Sequence, residues 1–488
     1  MFRPIYVAVV LASLSGSALA QSDLMTIYQE ALLNSADLAA AEADSLARQE
    51  VLPQARSLLL PSIGLGAGLA KEYVDISGAG SDDYTTHYYQ ASLTQPLFRA
   101  DRWFNYQAAK SQSEQARVEF SAVQQQLIMD VSQAYFNVLR ASDNLATARA
   151  EEAAFERQLE QARERFEVGL AARTDVLEAL AGFDAARATR LTASTNLDVS
   201  YQALTRLTNR DHPELLGMSH ELPILAPTPV DMQQWVETAA AQNLSLQAYR
   251  LAIDSASESL RSSKSGYAPA VDAFVRYNDS HGGARLGGVG GMISGDTELT
   301  QIGVEMTLPL FTGGGTSSRI RESTFRLSQA EQSSEAELRR VVERTRNLFR
   351  TVTSSVEEVE ARRQTIISSK AALDATQTGY EVGTRNVVDV LDAQRNLYRA
   401  VRDYNNTRYN YIIDNLSLKQ AAGTLSPQDL EDLSAWLNPD YDPDRDFIPP
   451  FTPEETRRMN IGGSQPQQPT LNEQQPLGEQ QQRMRLSF

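Results

Sequence analysis

The chain carries one pattern twice, and that duplication constrains its fold more than anything else in its 488 residues. Leu93-Thr94-Gln95-Pro96-Leu97-Phe98 matches Met306-Thr307-Leu308-Pro309-Leu310-Phe311. Phe166-Glu167-Val168-Gly169 matches Tyr380-Glu381-Val382-Gly383, and Asp175-Val176-Leu177 then matches Asp389-Val390-Leu391. Pro61 and Pro269 each open an alternating stretch and complete the set. Matches in this order at nearly constant separation indicate two repeats of one supersecondary plan, over residues 21–225 and 226–439.

Each repeat predicts the same parts. A helical stretch comes first, near 24–60 and 232–267, rich in Ala, Leu, Gln and Glu. Two strands follow. Ile63, Leu65, Ala67 and Leu69 alternate with glycines, and Tyr89, Ala91 and Leu93 alternate with polar residues. In the second repeat Val271, Ala273, Val275 and Tyr277, then Ile302, Val304, Met306 and Leu308, keep the same period of two. Gly-rich segments at 77–83 and 282–295 read as the turns between them. Long helical tracts follow near 99–168 and 317–382, each roughly 100 Å if unbroken. Gly169 and Gly383 end them, and shorter helices return near 175–207 and 386–422. A returning helix plus a first helix is about as long as one long tract, so the two can lie end to end beside it. Proline-bearing connectors at 208–230 and 423–439 fit that junction. The class is α+β.

The ends differ from the body. Residues 1–20 read as a secretory signal peptide, with Arg3, an apolar run and Ala18 and Ala20 before the cut. Residues 440–488, Pro-rich and then Gln-rich, read as a disordered tail. There is no cysteine, which removes disulfides, thiolate metal sites and lipidation through cysteine. A formal net charge of −17 argues against nucleic acid as a partner. Beyond the signal no apolar run is long enough for a membrane helix, so any membrane contact falls to strands or an interfacial segment.

Four strands are too few for a membrane barrel, since single-chain barrels begin at about eight, and an open sheet edge is forbidden in lipid. In a membrane the strands must close between chains. The helices need neighbours as well: Leu127, Val131, Ala134, Tyr135 and Val138 recur at helical spacing as a packing seam.

With the duplicated Pro-Leu-Phe strand ends, the 166–175 hairpin, the run from Tyr380 to Asp392, Arg408-Tyr409-Asn410-Tyr411 and Ala422-Gly423-Thr424-Leu425, the chain resembles the TolC family of outer-membrane efflux and secretion ducts over nearly all of 21–437. The resemblance implies a homotrimer whose chains each give four strands to a 12-stranded outer-membrane β-barrel, continued by a long α-helical periplasmic barrel of coiled-coil hairpins. It implies a passive, gated exit duct of a tripartite efflux pump or type I secretion system. Its partners would be a periplasmic adaptor, an RND-type or ABC-type inner-membrane transporter and outer-membrane lipid. It also implies roles by position. Asp175 would bond Tyr380 within a chain, Arg385 would reach Thr174 and Asp175 of a neighbour, and Arg408 would add a link; these five form the expected gate. Helix capping explains Thr174 and Asp175 equally well from sequence. Asp389 and Asp392, three apart on one helix face, would ring the lumen as a cation-selective site. The competing explanation is stabilisation of a helix N-terminus, which suits Asp389 better than Asp392. Val168-Gly169-Leu170 and Val382-Gly383-Thr384 would dock the adaptor, although glycine also simply ends helices.

No catalytic, cofactor or metal site is expected. Gly313-Gly314-Gly315-Thr316 lacks the lysine of a phosphate loop, and His87, His212, His220 and His281 are scattered and read as surface residues. An exported enzyme would need a convergent catalytic cluster, which is not found. The alternative class, a trimeric coiled-coil structural or adhesin protein of the outer membrane, would lack the paired strands and the duplicated hairpin.

Overall fold

The computed structural model describes residues 22–77, 80–285, 292–453 and 455. The expected signal peptide and the Gln-rich stretch at 465–482 lie outside them. In chain order the elements are α1 (Leu24–Asn34), α2 (Ala36–Gln49), α3 (Val51–Ser57), β1 (Ser62–Ile76), β2 (Gly80–Phe98), α4 (Ala100–Glu167), α5 (Arg173–Thr208) and β3 (Gly217–Met218). The plan then repeats as α6 (Met232–Gln242), α7 (Leu244–Lys264), β4 (Ala270–Arg285), β5 (Met292–Thr307), α8 (Gly315–Glu381) and α9 (Val387–Ala422). The short α10 (Pro427–Ser434), β6 (Leu437–Asn438) and α11 (Pro443–Asp446) follow.

The first stretch of each repeat is not one helix. Ser35 accepts from Leu38 N–H and Asn243 from Leu246 N–H, so each is a side-chain cap that ends one helix and starts the next. Asp23 and Asp231 cap α1 and α6 in the same way, which extends the duplication to its caps.

Two compact units are distinguished. Of the described residues, the first comprises those from Ser22 to Ser142, 194–359 and 406–441. It holds an antiparallel sheet of order β1-β2-β4-β5. Register places Ile63 opposite Leu93, Leu93 opposite Val275 and Val275 opposite Ile302, so one apolar row crosses all four strands. Ile63 is 75% and Ile302 79% exposed in the chain. The other face carries Gly64, Ser92, Arg276 and Gln301. β4 and β5 stay paired through Gly282–Gly295 to Arg285–Met292, so the strands run further than the alternation suggested. Among the described residues no helix is long and apolar enough to cross a membrane.

In the same unit the predicted seam Leu127, Val131, Ala134, Tyr135 and Val138 is buried. Tyr135 donates to Leu216 O at 2.7 Å, and Tyr411 donates to Leu225 O at 2.8 Å, tying the connector to α4 and α9. β3 pairs with β6 inside what the sequence read as plain loops. His212, expected at the surface, is buried with Nδ1 3.2 Å from Ser22 Oγ, and burial pushes its pKa down.

The second unit comprises 143–193, 360–405 and, from Asp442 on, the described residues 442–453 and 455. Leu159, Ala162 and Ala179 centre one cluster, with Val176, Leu180 and Phe183 packed on it. Residues 442–453 and 455, which the sequence assigned to a disordered tail, have defined contacts here. Phe447 is buried, and its carbonyl accepts from Asn405 Nδ2 at 3.0 Å. Glu455 receives both arms of the Arg363 guanidinium, at 2.9 and 3.0 Å, and Thr452 N–H at 2.6 Å. The reason is charge pairing that composition does not display: this acidic, Pro-rich stretch meets arginines on α4 and α8.

Candidate functional site

The two hairpin tips lie in the second unit and are built alike. At the end of α4, Gly169 has φ +78° and Leu170 N–H donates to Arg165 O at 2.7 Å. At the end of α8, Gly383 has φ +79° and Thr384 N–H donates to Gly379 O at 2.8 Å. Each is a helix stop in which a left-handed residue lets a later N–H reach back to a free carbonyl. Apolar side chains are left outward on both: Val168, Leu170 and Val382 are 69–71% exposed. Thr384 Oγ also donates to Gly379 O, at 3.0 Å.

The expected gate residues do not come together as one network within the chain. Asp175 accepts from Ala172 N–H at 3.1 Å and so caps α5. Thr174 beside it is exposed. Tyr380 is buried, its ring 4.6 Å from the Arg165 guanidinium, and its hydroxyl has no hydrogen-bond partner among the described residues. The intrachain Asp175–Tyr380 bond that the resemblance implied is therefore not formed here, because the Asp175 carboxylate is turned to its own helix start. Arg385 is exposed, and among the described residues it makes no ion pair. Its Cγ would lie 2.8 Å from a Cβ at Gly379, so glycine there leaves room for the arginine.

Arg408 is elsewhere and otherwise engaged. It belongs to the first unit and is 1% exposed. Its guanidinium donates to Met218 O at 3.1 Å, to Ser219 O, and to His220 Nδ1 at 3.3 Å. Within the chain its donors go to the carbonyls of Met218 and Ser219, so the contacts described for it tie α9 to the β3 segment.

Asp389 and Asp392 line one groove of about 520 Å³ between α8 and α9, with Arg385 and Asn396. Their partners differ. Asp389 accepts from Asn386 N–H at 3.2 Å while Asn386 Oδ1 accepts from Asp389 N–H at 2.8 Å, a reciprocal cap. Asp392 accepts from Arg395 at 2.6 Å. The sequence reading passed over Arg395, although its spacing of three from Asp392 on a helix was the signal for it. It also passed over the Arg363–Glu455 pair, for which the sequence offers no local signal.

Comparison with known proteins gives one consistent picture. The sequence matches the outer membrane efflux protein family over residues 27–210 and 235–424. The chain is 37% identical to the outer membrane protein TolC of Vibrio cholerae, covering 89% of this chain and 98% of that one. It is 25% identical to the alkaline protease secretion protein AprF of Pseudomonas aeruginosa, covering 84% and 86% respectively. Among solved structures it resembles the CmeC outer membrane channel of Campylobacter jejuni, with a TM-score of 0.73 at 17% identity over 87% of this chain and 92% of that one.

Proposed function

The chain belongs to the outer membrane efflux protein family, and on that premise we infer that it is an outer-membrane exit channel for efflux and type I secretion. The observation that carries this reading is the four-stranded sheet. One face carries an apolar belt, with Ile63, Leu93, Val275 and Ile302 in one row and Leu65, Ala91 and Tyr277 beside it, and the outer edges of β1 and β5 make no pairing within the chain among the described residues. In lipid each unpaired backbone group costs several kcal/mol, on the order of the desolvation of an amide. Three chains, with β1 of one pairing β5 of the next, would close twelve strands and leave no edge. The antiparallel order suits that closure, since β1 and β5 run in opposite directions.

In this reading the channel passes cargo delivered by an inner-membrane transporter through a periplasmic adaptor, and it catalyses nothing itself. The exposed apolar residues Val168, Leu170 and Val382, with Gly169, Gly383 and Thr384, are the adaptor's docking surface. The mouth is held shut between chains. Arg385 offers a planar fork of donors that matches a carboxylate, and Asp175 and Thr174 of the neighbouring chain would receive it. Tyr380 contributes a hydroxyl still short of a partner. Asp389 and Asp392 face the lumen and favour cations.

An exposed ion pair holds only ~0–1 kcal/mol, so three symmetric copies share the closed state and single substitutions open it in part. Arg385→Ser should raise single-channel conductance in planar bilayers, and adding Tyr380→Phe should raise it further. A double variant that conducts like the unmodified channel would remove these residues from the gate.

A further inference from the structure

Asp392 is not a bare carboxylate. Arg395, one turn further along α9, donates to its Oδ1 at 2.6 Å. A pair of this spacing on a helix surface is labile by itself, and both side chains are about half exposed. A second contact holds the guanidinium in place: its Cζ lies 5.6 Å from the ring centroid of Phe155 on α4, within reach of a cation–π attraction. Phe155 is buried and cannot follow the arginine outward. A third residue makes the arrangement possible. A Cβ on Gly182 of α5 would fall 2.7 Å from the Phe155 ring and 3.7 Å from the guanidinium, so glycine is what lets ring and arginine occupy that space. Asp389, by contrast, is engaged only with the backbone and side chain of Asn386, and among the described residues it forms no ion pair.

We propose that Arg395 is a built-in counter-ion that sets the strength of cation selection, cancelling Asp392 and leaving Asp389 as the effective charge of the ring. This rests on the reading that Asp389 and Asp392 face the lumen. Each chain then contributes one net negative charge at the ring. Two acidic positions are present in sequence, but the field that a permeating ion meets is that of one per chain.

The test is reversal potential in a potassium chloride gradient, together with block by hexaamminecobalt(III), on trimeric channels in planar bilayers. Arg395→Gln should raise the cation-to-anion permeability ratio by roughly tenfold, since one unit charge about 6 Å away in water favours a cation and disfavours an anion by roughly threefold each, and lower the half-blocking concentration of the trivalent cation. Asp392→Asn combined with Arg395→Gln removes one charge of each sign and should return both readouts to those of the unmodified channel. Arg395→Lys keeps the charge and should leave them unmoved, which separates charge from folding. If Asp389→Asn weakens selectivity while Arg395→Gln changes nothing, the counter-ion role is overturned and the ring stands. If neither substitution moves selectivity or block, the ring falls and the counter-ion role with it.

Discussion

Glu455→Gln tests whether the C-terminal segment is a clip on the helices of its unit. The carboxylate receives Arg363 at 2.9 and 3.0 Å and Thr452 N–H at 2.6 Å, and Arg363 also donates to Pro450 O at 2.8 Å. The Arg363 guanidinium, helped by Thr452, holds the Glu455 pKa down to about 2 against the opposing effect of burial. Glutamine keeps one acceptor but turns an amide NH₂ toward a guanidinium that has only donors. Charge-assisted hydrogen bonds of this kind are worth about 1.5–3 kcal/mol each, and partial solvent screening brings the net loss to about 1–2 kcal/mol. If the segment opens locally, that loss makes amides across 443–453 exchange with deuterium about 5–30 times faster. Hydrogen-exchange mass spectrometry on the full chain in detergent reads this directly. The sign of the pH dependence follows from the depressed pKa. The pair contributes fully above the ordinary carboxylate value of 4.5 and is lost as pH falls through about 2. The unmodified segment should therefore stay protected at pH 5. Equal exchange in the two proteins would refute the clip.

Gly423→Ala should lower the melting temperature sharply, by about 2–4 kcal/mol of stability, because Gly423 has φ +76° and a Cβ there would meet Gln242 O at 2.3 Å. Gly169→Ala is the control: its φ is +78°, but nothing lies within 4 Å, so only the backbone cost of about 1 kcal/mol applies. Arg408→Met should destabilise by about 2–4 kcal/mol in thermal unfolding, since it strips partners from the buried Met218 carbonyl and the half-buried Ser219 carbonyl. It should leave single-channel conductance unchanged, whereas a gate link would raise it.

The long elements were legible because their signals are local and repeated. The expected tract at 99–168 is α4 within one residue at each end, and Gly169 and Gly383 do stop the helices by adopting positive φ. Period-two alternation identified all four strands of the sheet. The breaks at Ser35 and Asn243 were missed because a cap inside a strongly helical composition is outweighed by propensity. β3 and β6 were missed because two-residue strands have no periodicity to detect. At the site, position along the chain identified Asp175, Tyr380 and Arg385 as tip residues, but it could not say which partner each takes. Arg408 shows the limit most clearly, since an arginine in a recognised motif spends its donors on carbonyls nearly 190 residues away in sequence. Arg363 and Glu455, 92 residues apart, meet through packing and leave no trace in local pattern.

The central claim is that the sheet closes between chains, and the absence of cysteine lets introduced pairs report on it. Leu65 on β1 and Ile302, Val304 and Met306 on β5 share the exposed apolar face. Within one chain β1 and β5 are separated by three strand spacings, roughly 14 Å, whereas a disulfide spans at most about 7 Å between Cα atoms. Leu65→Cys should be combined in turn with Ile302→Cys, Val304→Cys and Met306→Cys, and the oxidised outer-membrane protein run on a denaturing, non-reducing gel. The account predicts a covalent trimer for at least one pairing, collapsing to monomer on reduction and absent from every single variant. Monomer alone for all three pairings would contradict closure between chains.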